Sequence, residues 1–337
     1  MPAEVETLMY AREVPWHGFG TKVDGLQTAK DAIVAAGLDW KVLLRPLYIR
    51  DLNAGSKIVK ITDGHVATVR DTDSRPLGIV GSSYRPVQNV EAFGMADAIV
   101  ETGEAKYETA GALRSGRIVF LSMEIPKTVK IPGDDGVIQP YLLLTNSHDG
   151  SSALRALITT VRVVCSNTLN LALNGRNKGE IKLRHTTNVM DRVSEAQRAL
   201  GLTFEYLDGF ERMANQMMLR KLTDQEVYWA ILAAFPIKDV HPLGASVKDM
   251  AKALSENESS PAAKAFRMYQ TSDNIANVRD TAWGLFNGIA EYLDYGQFYR
   301  AREGSTALDS RARSILLNGA AASKKAQVGS MLAALAN

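Results

Sequence analysis

One cysteine, Cys165, is all that the 337 residues contain, which excludes an internal disulfide and a zinc site made of several thiolates, and suits a reducing cytoplasm. Histidine is scarce too, at five residues. His17, His65 and His185 stand alone without ligand spacing, so no metal and no cofactor are expected. No uninterrupted apolar run reaches the roughly 18 residues that a membrane-spanning helix needs. The opening residues carry early acids and no apolar core, so no signal peptide is expected either. Nor does charge of one sign dominate: 39 basic against 37 acidic residues leave a net +2, and no global field draws the chain onto nucleic acid or anionic lipid. Any such binding has to come from a local patch. There is no internal repeat, no heptad pattern, and no catalytic motif specific enough to name a reaction. These absences lead to the expectation of an unprocessed, soluble, cytoplasmic chain that makes no use of a membrane.

What is present is globular. With 46% hydrophobic and 23% charged residues the composition is ordinary, and the length favours two packed regions. The stretch from Tyr141 to Leu173 concentrates the unusual features. Tyr141 to Asn146 is a short apolar run, His148-Asp149-Gly150-Ser151 carries turn residues, and Ala153 to Val164 returns rich in β-branched side chains, which together predict a hairpin. Ser166 or Asn167 can cap a helix after it, with Leu169, Ala172 and Leu173 at helical spacing and Asn174-Gly175 as the stop.

The flanking chain reads as support. The Trp16-His17-Gly18-Phe19-Gly20 cluster predicts an N-terminal arm. Thr28 with Asp31 three residues on starts a helix that Gly37 stops. Extended segments over 41–50, 57–61, 65–70 and 77–80 predict an antiparallel meander, with Asp63-Gly64 as a two-residue hairpin turn. Asn89 is the expected cap of a helix with Val90, Phe93, Ala96 and Val100 on one face. Strands follow over 106–112 and 117–125, then a loop over 131–136, and a last extended piece over 180–185. Beyond Thr187 the pattern is helical. Val193, Ala196, Leu200, Phe204, Leu207 and Phe210 predict a helix of about 30 residues. A capping box at Thr223 to Glu226 opens the next helix, and Pro236 stops it. Residues 255–260 read as a loop, Val278, Ala282, Leu285, Phe286, Ile289 and Leu293 as one amphipathic face, and 307–317 and 320–335 as two short helices.

Several residues invite a chemical role. His148 beside Asp149 could serve as acid, base or ligand, but neighbours on a strand point to opposite faces, and an Asp-Gly turn suits a hairpin in any case. Cys165 near a helix start could be an activated thiol, against the simpler reading of a small core residue. Asn167, Thr168 and Asn170 could meet bases or phosphates at a helix N-terminus, or simply cap it. The strongest lead is charge: Arg155, Arg162, Arg176, Lys178, Lys182 and Arg184 face Glu180 alone, a local excess of five. With Tyr141 or His148 as stacking rings, that belt suits single-stranded nucleic acid, although such a run also fits a solvated face. Arg155 and Arg162 are seven apart, so a regular strand puts them on opposite faces unless a bulge intervenes.

Taken in order, Pro15 to Thr21 (PWHGFGT), Ala36 to Val42 (AGLDWKV), Val80 to Phe93 (VGSSYRPVQNVEAF), Glu108 to Arg117 (ETAGALRSGR) and Asn146 to Leu173 resemble the phage/plasmid-like protein family, whose defining region is the domain of unknown function 932. The resemblance implies a protein of phages, prophages or plasmids inside a bacterial host, with no established reaction. One departure is Thr159-Thr160, near which a proline is expected, and it bears on a strand kink there. The fold class that emerges is α+β, a twisted antiparallel sheet with packed helices over 1–186 and a helical region over 187–337. By fold analogy, sheet plus helix with a basic belt suggests binding or annealing of single-stranded nucleic acid in recombination. Two alternatives stand beside it: an interaction or assembly factor working through the helix from Phe204 to Met218, and an enzyme acting on nucleic acid. Methionines 213, 217 and 218 on that helix also suggest a homo-oligomer.

Overall fold

The structure, a computed structural model, describes residues 7–11, 20–26, 28–51, 57–61, 64–162, 167–169, 180–182, 189–300, 314 and 319–336. The aromatic arm at 16–19, Asp63, Cys165, Ser166, Asn170, Arg176, Lys178, Arg184 and, apart from Ser314, the helix expected over 307–317 lie outside the described residues. The fold is α+β, with antiparallel sheets in the N-terminal half and a mostly helical C-terminal half.

Along the chain run β1 (Thr7–Tyr10), β2 (Thr21–Lys22), α1 (Ala29–Ala35), β3 (Val42–Pro46), β4 (Tyr48–Asp51), β5 (Lys57–Lys60), β6 (His65–Arg70), β7 (Pro76–Gly81), α2 (Asn89–Phe93), α3 (Met95–Val100), β8 (Lys106–Leu113) and β9 (Ile118–Glu124). Then come β10 (Val129–Lys130), β11 (Val137–Ser147), β12 (Arg155–Arg162), β13 (Asn167–Leu169), β14 (Glu180–Lys182), α4 (Val189–Leu219), α5 (Asp224–Ala234), α6 (Val247–Glu256), α7 (Pro261–Thr271), α8 (Ala282–Glu291) and, at the C-terminal end, α9 (Ala320–Ala336). Two compact units interleave along the sequence: Met1–Glu124, Leu142–Leu157 and Glu180–Gly201 form the first, and Ile125–Tyr141, Ile158–Gly179 and Leu202–Asn337 the second.

In the first unit the main sheet has the order β12-β11-β9-β8-β1-β2, with β14 on β12. β1 lies antiparallel to β8 and parallel to β2. The helix α1 forms where the capping signal predicts it: the Thr28 hydroxyl accepts from the Asp31 N–H at 3.1 Å, and the Asp31 carboxylate accepts from the Thr28 N–H at 3.0 Å. Ala29, Ala32 and Ile33 are its buried face.

Three expectations are corrected in this unit. The segment over 41–50 is two strands, because Pro46 has no N–H to continue a ladder, and β3 pairs with β6 rather than with its successor. The three-stranded sheet is therefore β3-β6-β7, while among the described residues β4 and β5 pair only with each other, so the turn at Gly64 does not join a β5–β6 hairpin. The helix expected from Asn89 is broken at Gly94 into α2 and α3, and Gln88, reciprocally bonded with Glu91, is its cap. Val90 is exposed, and the buried face is Ala92, Phe93, Met95, Ala96 and Ile99.

In the second unit β10 pairs with β11, and β13 pairs with β12 from Thr160↔Leu169 to Arg162↔Asn167. Asn167 to Leu169 is thus a strand and not the start of a helix: pairing with the β-branched end of β12 outweighs three apolar residues at helical spacing. β12 passes through Thr160 without interruption. The long helix α4 is 31 residues, α5 carries the Thr223–Glu226 capping box, and Ser260 with Pro261 opens α7, so much of the loop expected over 255–260 is helix end and cap. The core of this unit gathers Tyr206, Phe210, Met217, Trp283 and Phe286, all essentially inaccessible. Phe210 meets Trp283 edge-on with centroids 6.1 Å apart, and the Trp283 indole N–H donates to Asp134 Oδ2 at 2.7 Å, tying the 131–136 loop to α8. Lys325 on α9 and Asp294, in a π-helical turn after α8, form a buried ion pair at 2.6 Å.

Candidate nucleic-acid interface

At the end of β11 four polar residues in a row, Thr145, Asn146, Ser147 and His148, are buried, so each must find an internal partner. Asn146, Ser147 and His148 do so across long sequence separations. Asn146 Nδ2 donates to the Val87 carbonyl at 3.0 Å, and the Tyr84 hydroxyl donates to the Ser147 carbonyl at 3.2 Å. The His148 N–H donates to the Arg117 carbonyl at 2.8 Å, and the Thr68 hydroxyl donates to the His148 carbonyl at 2.7 Å. The imidazole Nε2 lies 2.8 Å from Asn89 Oδ1, while Asn89 Nδ2 donates to the Leu38 carbonyl at 2.8 Å. With its amide nitrogen so used, Asn89 presents only an acceptor to the ring, which assigns the proton of neutral His148 to Nε2.

Trp40 meets His148 edge-on at 5.3 Å, and the Arg70 guanidinium sits 4.7 Å from the Trp40 ring centre. Arg70 also donates to the Ser115 carbonyl at 3.1 Å, in a turn whose Arg114 and Ser115 both have positive φ. Gln88 spans to β3 by bonding both the N–H and the carbonyl of Val42. Four of the segments that carry the family resemblance, around Trp40, Asn89, Arg114 and His148, therefore lock into one hydrogen-bonded hub.

The hub decides between the readings of the His148-Asp149 pair. Burial lowers the His148 pKa from 6.5 to about 4; the Asp149 charge opposes the shift and the Arg70 charge adds to it. Asp149 goes elsewhere, accepting from the Ser151 N–H at 2.9 Å and facing Arg114 at 3.8 Å. Ser147 Oγ closes the same turn by bonding the Ser152 backbone. The arrangement is a tied-down turn rather than an acid–base pair. The expectation that His148 stacks on a base is also corrected, since at 0% exposure its ring has no open face.

The basic belt is placed in part. Arg155 lies directly across from Lys182 on β14, which pairs two basic positions 27 apart in sequence. Arg162 is opposite Asn167 at the other end of β12. The two pairings run in regular register over 155–157 and over 160–162. The side chains of Arg162 and Lys182, and the whole of Arg176, Lys178, Arg184 and Asn170, lie outside the described residues. Tyr141 is on β11 and half-buried.

Sequence reasoning missed Trp40, Arg70 and Asn89 as members of the hub. Asn89 carried a signal, but a capping asparagine and a buried bridging asparagine look alike until the partner 51 residues away is known. Among the described residues, no helix is long and apolar enough to cross a membrane. Residues 76–316 match the family model described as Domain of unknown function (DUF932). No solved structure matches the chain.

Proposed function

Because the chain belongs to the Domain of unknown function (DUF932) family, a membership that fixes no reaction, we propose that it binds and anneals single-stranded nucleic acid in recombination. The reading places it on a phage or plasmid, in the cytoplasm of a bacterial host, as a binder and not an enzyme. The observation that carries it is the Arg155–Lys182 pair on β12 and β14, at the head of a segment with a local excess of five positive charges in a chain of net +2. Cations at paired register positions of a sheet suit a phosphate backbone without reading sequence. The one histidine with catalytic promise is buried and neutral, which takes support from the enzyme reading. The interaction-factor reading, with its surface from Phe204 to Met218, is weakened because Tyr206, Leu207, Phe210, Ala214 and Met217 are spent on the core of their own unit. The same burial weakens the case for a homo-oligomer through that helix, for which light scattering is the check.

The test is annealing of two complementary labelled oligonucleotides with and without protein. The proposal expects faster annealing and unchanged strand lengths. An interaction factor gives neither binding nor annealing, and an enzyme gives altered strands.

A further inference from the structure

Among the described residues, the two-stranded β4–β5 hairpin joins no other strand, and it leaves large apolar side chains exposed on both faces. Tyr48 is 58% exposed, Ile49 52%, Ile58 61% and Val59 42%, in a ribbon whose strands pair only with each other. An isolated two-stranded hairpin is at best marginally stable in water, and four large apolar side chains on one are a liability unless something docks there. The register shows what each face offers. Tyr48 pairs with Lys60 and Arg50 with Ile58, and residues two apart share a face, so one face carries Tyr48, Arg50, Ile58 and Lys60 together. That face holds a ring, a branched aliphatic and two cations, and no acid. Among the described residues neither Arg50 nor Lys60 forms an ion pair. From Lys41 to Lys60 the chain has five cations, Lys41, Arg45, Arg50, Lys57 and Lys60, against Asp51 alone, an excess of four.

We infer that this face is a second contact for single-stranded nucleic acid, in which Arg50 and Lys60 meet phosphates and Tyr48 stacks on an unpaired base beside Ile58. The inference rests on the nucleic-acid reading above and gives it a site outside the β12–β14 belt. An acidic strip of a partner protein would satisfy the cations but leave the exposed ring without its stacking partner. Duplex DNA hides its base faces in the stack, so the ring favours a single strand.

The experiment titrates a fluorescein-labelled single-stranded oligonucleotide into the full chain at several salt concentrations. The variants are Tyr48→Ala, Tyr48→Phe, Arg50→Ala with Lys60→Ala, and Arg155→Ala with Lys182→Ala. Tyr48, Arg50 and Lys60 are exposed, so the hairpin substitutions leave folding nearly unchanged, and thermal melts by circular dichroism verify the fold of every variant, the Arg155→Ala with Lys182→Ala pair included. Tyr48→Ala is expected to weaken binding about tenfold, and Tyr48→Phe, which keeps the ring, to leave it near wild type. Losing both hairpin cations should flatten the plot of log affinity against log salt by about 1.4. If the hairpin variants bind like wild type while the belt variant weakens, the hairpin contact is wrong and the nucleic-acid reading survives. If only the hairpin variants weaken, the contact is upheld and the belt is not. Wild-type chain that binds no DNA at any salt overturns both. Loss of binding to phosphatidylserine vesicles, rather than to DNA, overturns the nucleic-acid contact in favour of a lipid surface.

Discussion

Acidification should destabilise this protein through His148 specifically, and the size of the effect follows from the structure. In the unfolded chain the imidazole titrates near its usual 6.5; in the fold, burial holds it at about 4. As pH falls the unfolded state therefore takes up the proton first. The stabilisation is fully present above about pH 6.5 and is lost progressively as pH falls toward 4. A difference of about 2.5 pH units corresponds to about 3 kcal/mol in all, of which about 2 kcal/mol is gone by pH 5. The perturbation is His148→Gln, which removes the titrating group and keeps an amide able to donate to Asn89. Wild type and variant are unfolded in urea at pH 7, 6 and 5, and the readout is the difference in pH dependence, so that carboxylates common to both cancel. Wild type should lose about 2 kcal/mol more than the variant between pH 7 and 5. Equal losses, or an NMR titration of the folded protein placing His148 near 6.5, would refute the buried neutral imidazole.

Other substitutions probe the packing. Asn89→Ala strands both the Leu38 carbonyl and the His148 imidazole Nε2–H inside the hub, and denaturant unfolding should show a cost on the order of 2–3 kcal/mol. At Gly78 a Cβ would come within 2.6 Å of the Asp149 Cα, so Gly78→Ala should force the β6–β7 sheet off the hub turn and cost about 1–3 kcal/mol by the same measurement. Lys325→Met leaves Asp294 buried without its cation and should cost about 3–5 kcal/mol, whereas combining it with Asp294→Leu should restore most of that stability in urea melts.

What the sequence made legible was local. The Thr28–Asp31 and Thr223–Glu226 boxes bond within three residues, so their spacing alone declares them, and the 31-residue α4 follows from a stripe repeated over many turns. Strand existence was legible for the same reason, whereas partners were not. Nothing in residues 41–70 announces that β3 passes over β4 and β5 to pair with β6, because that choice is made by tertiary packing. The candidate site divides along the same line. The cations of the belt are visible as charge, but the Arg155–Lys182 adjacency requires the β12–β14 register, and the enclosure of His148 requires contacts with Trp40, Asn89 and Arg117 that no short window contains.

The central claim is that cations of the first unit hold a single-stranded phosphate backbone. The most direct measurement is the affinity for labelled single-stranded DNA, by fluorescence anisotropy, as a function of salt for wild type and Arg155→Ala. The account predicts binding at low salt that falls steeply as salt rises, with a slope shallower by about 0.7 in the variant. Folded protein that leaves the oligonucleotide free at the lowest salt, or a slope that Arg155→Ala does not change, would contradict it.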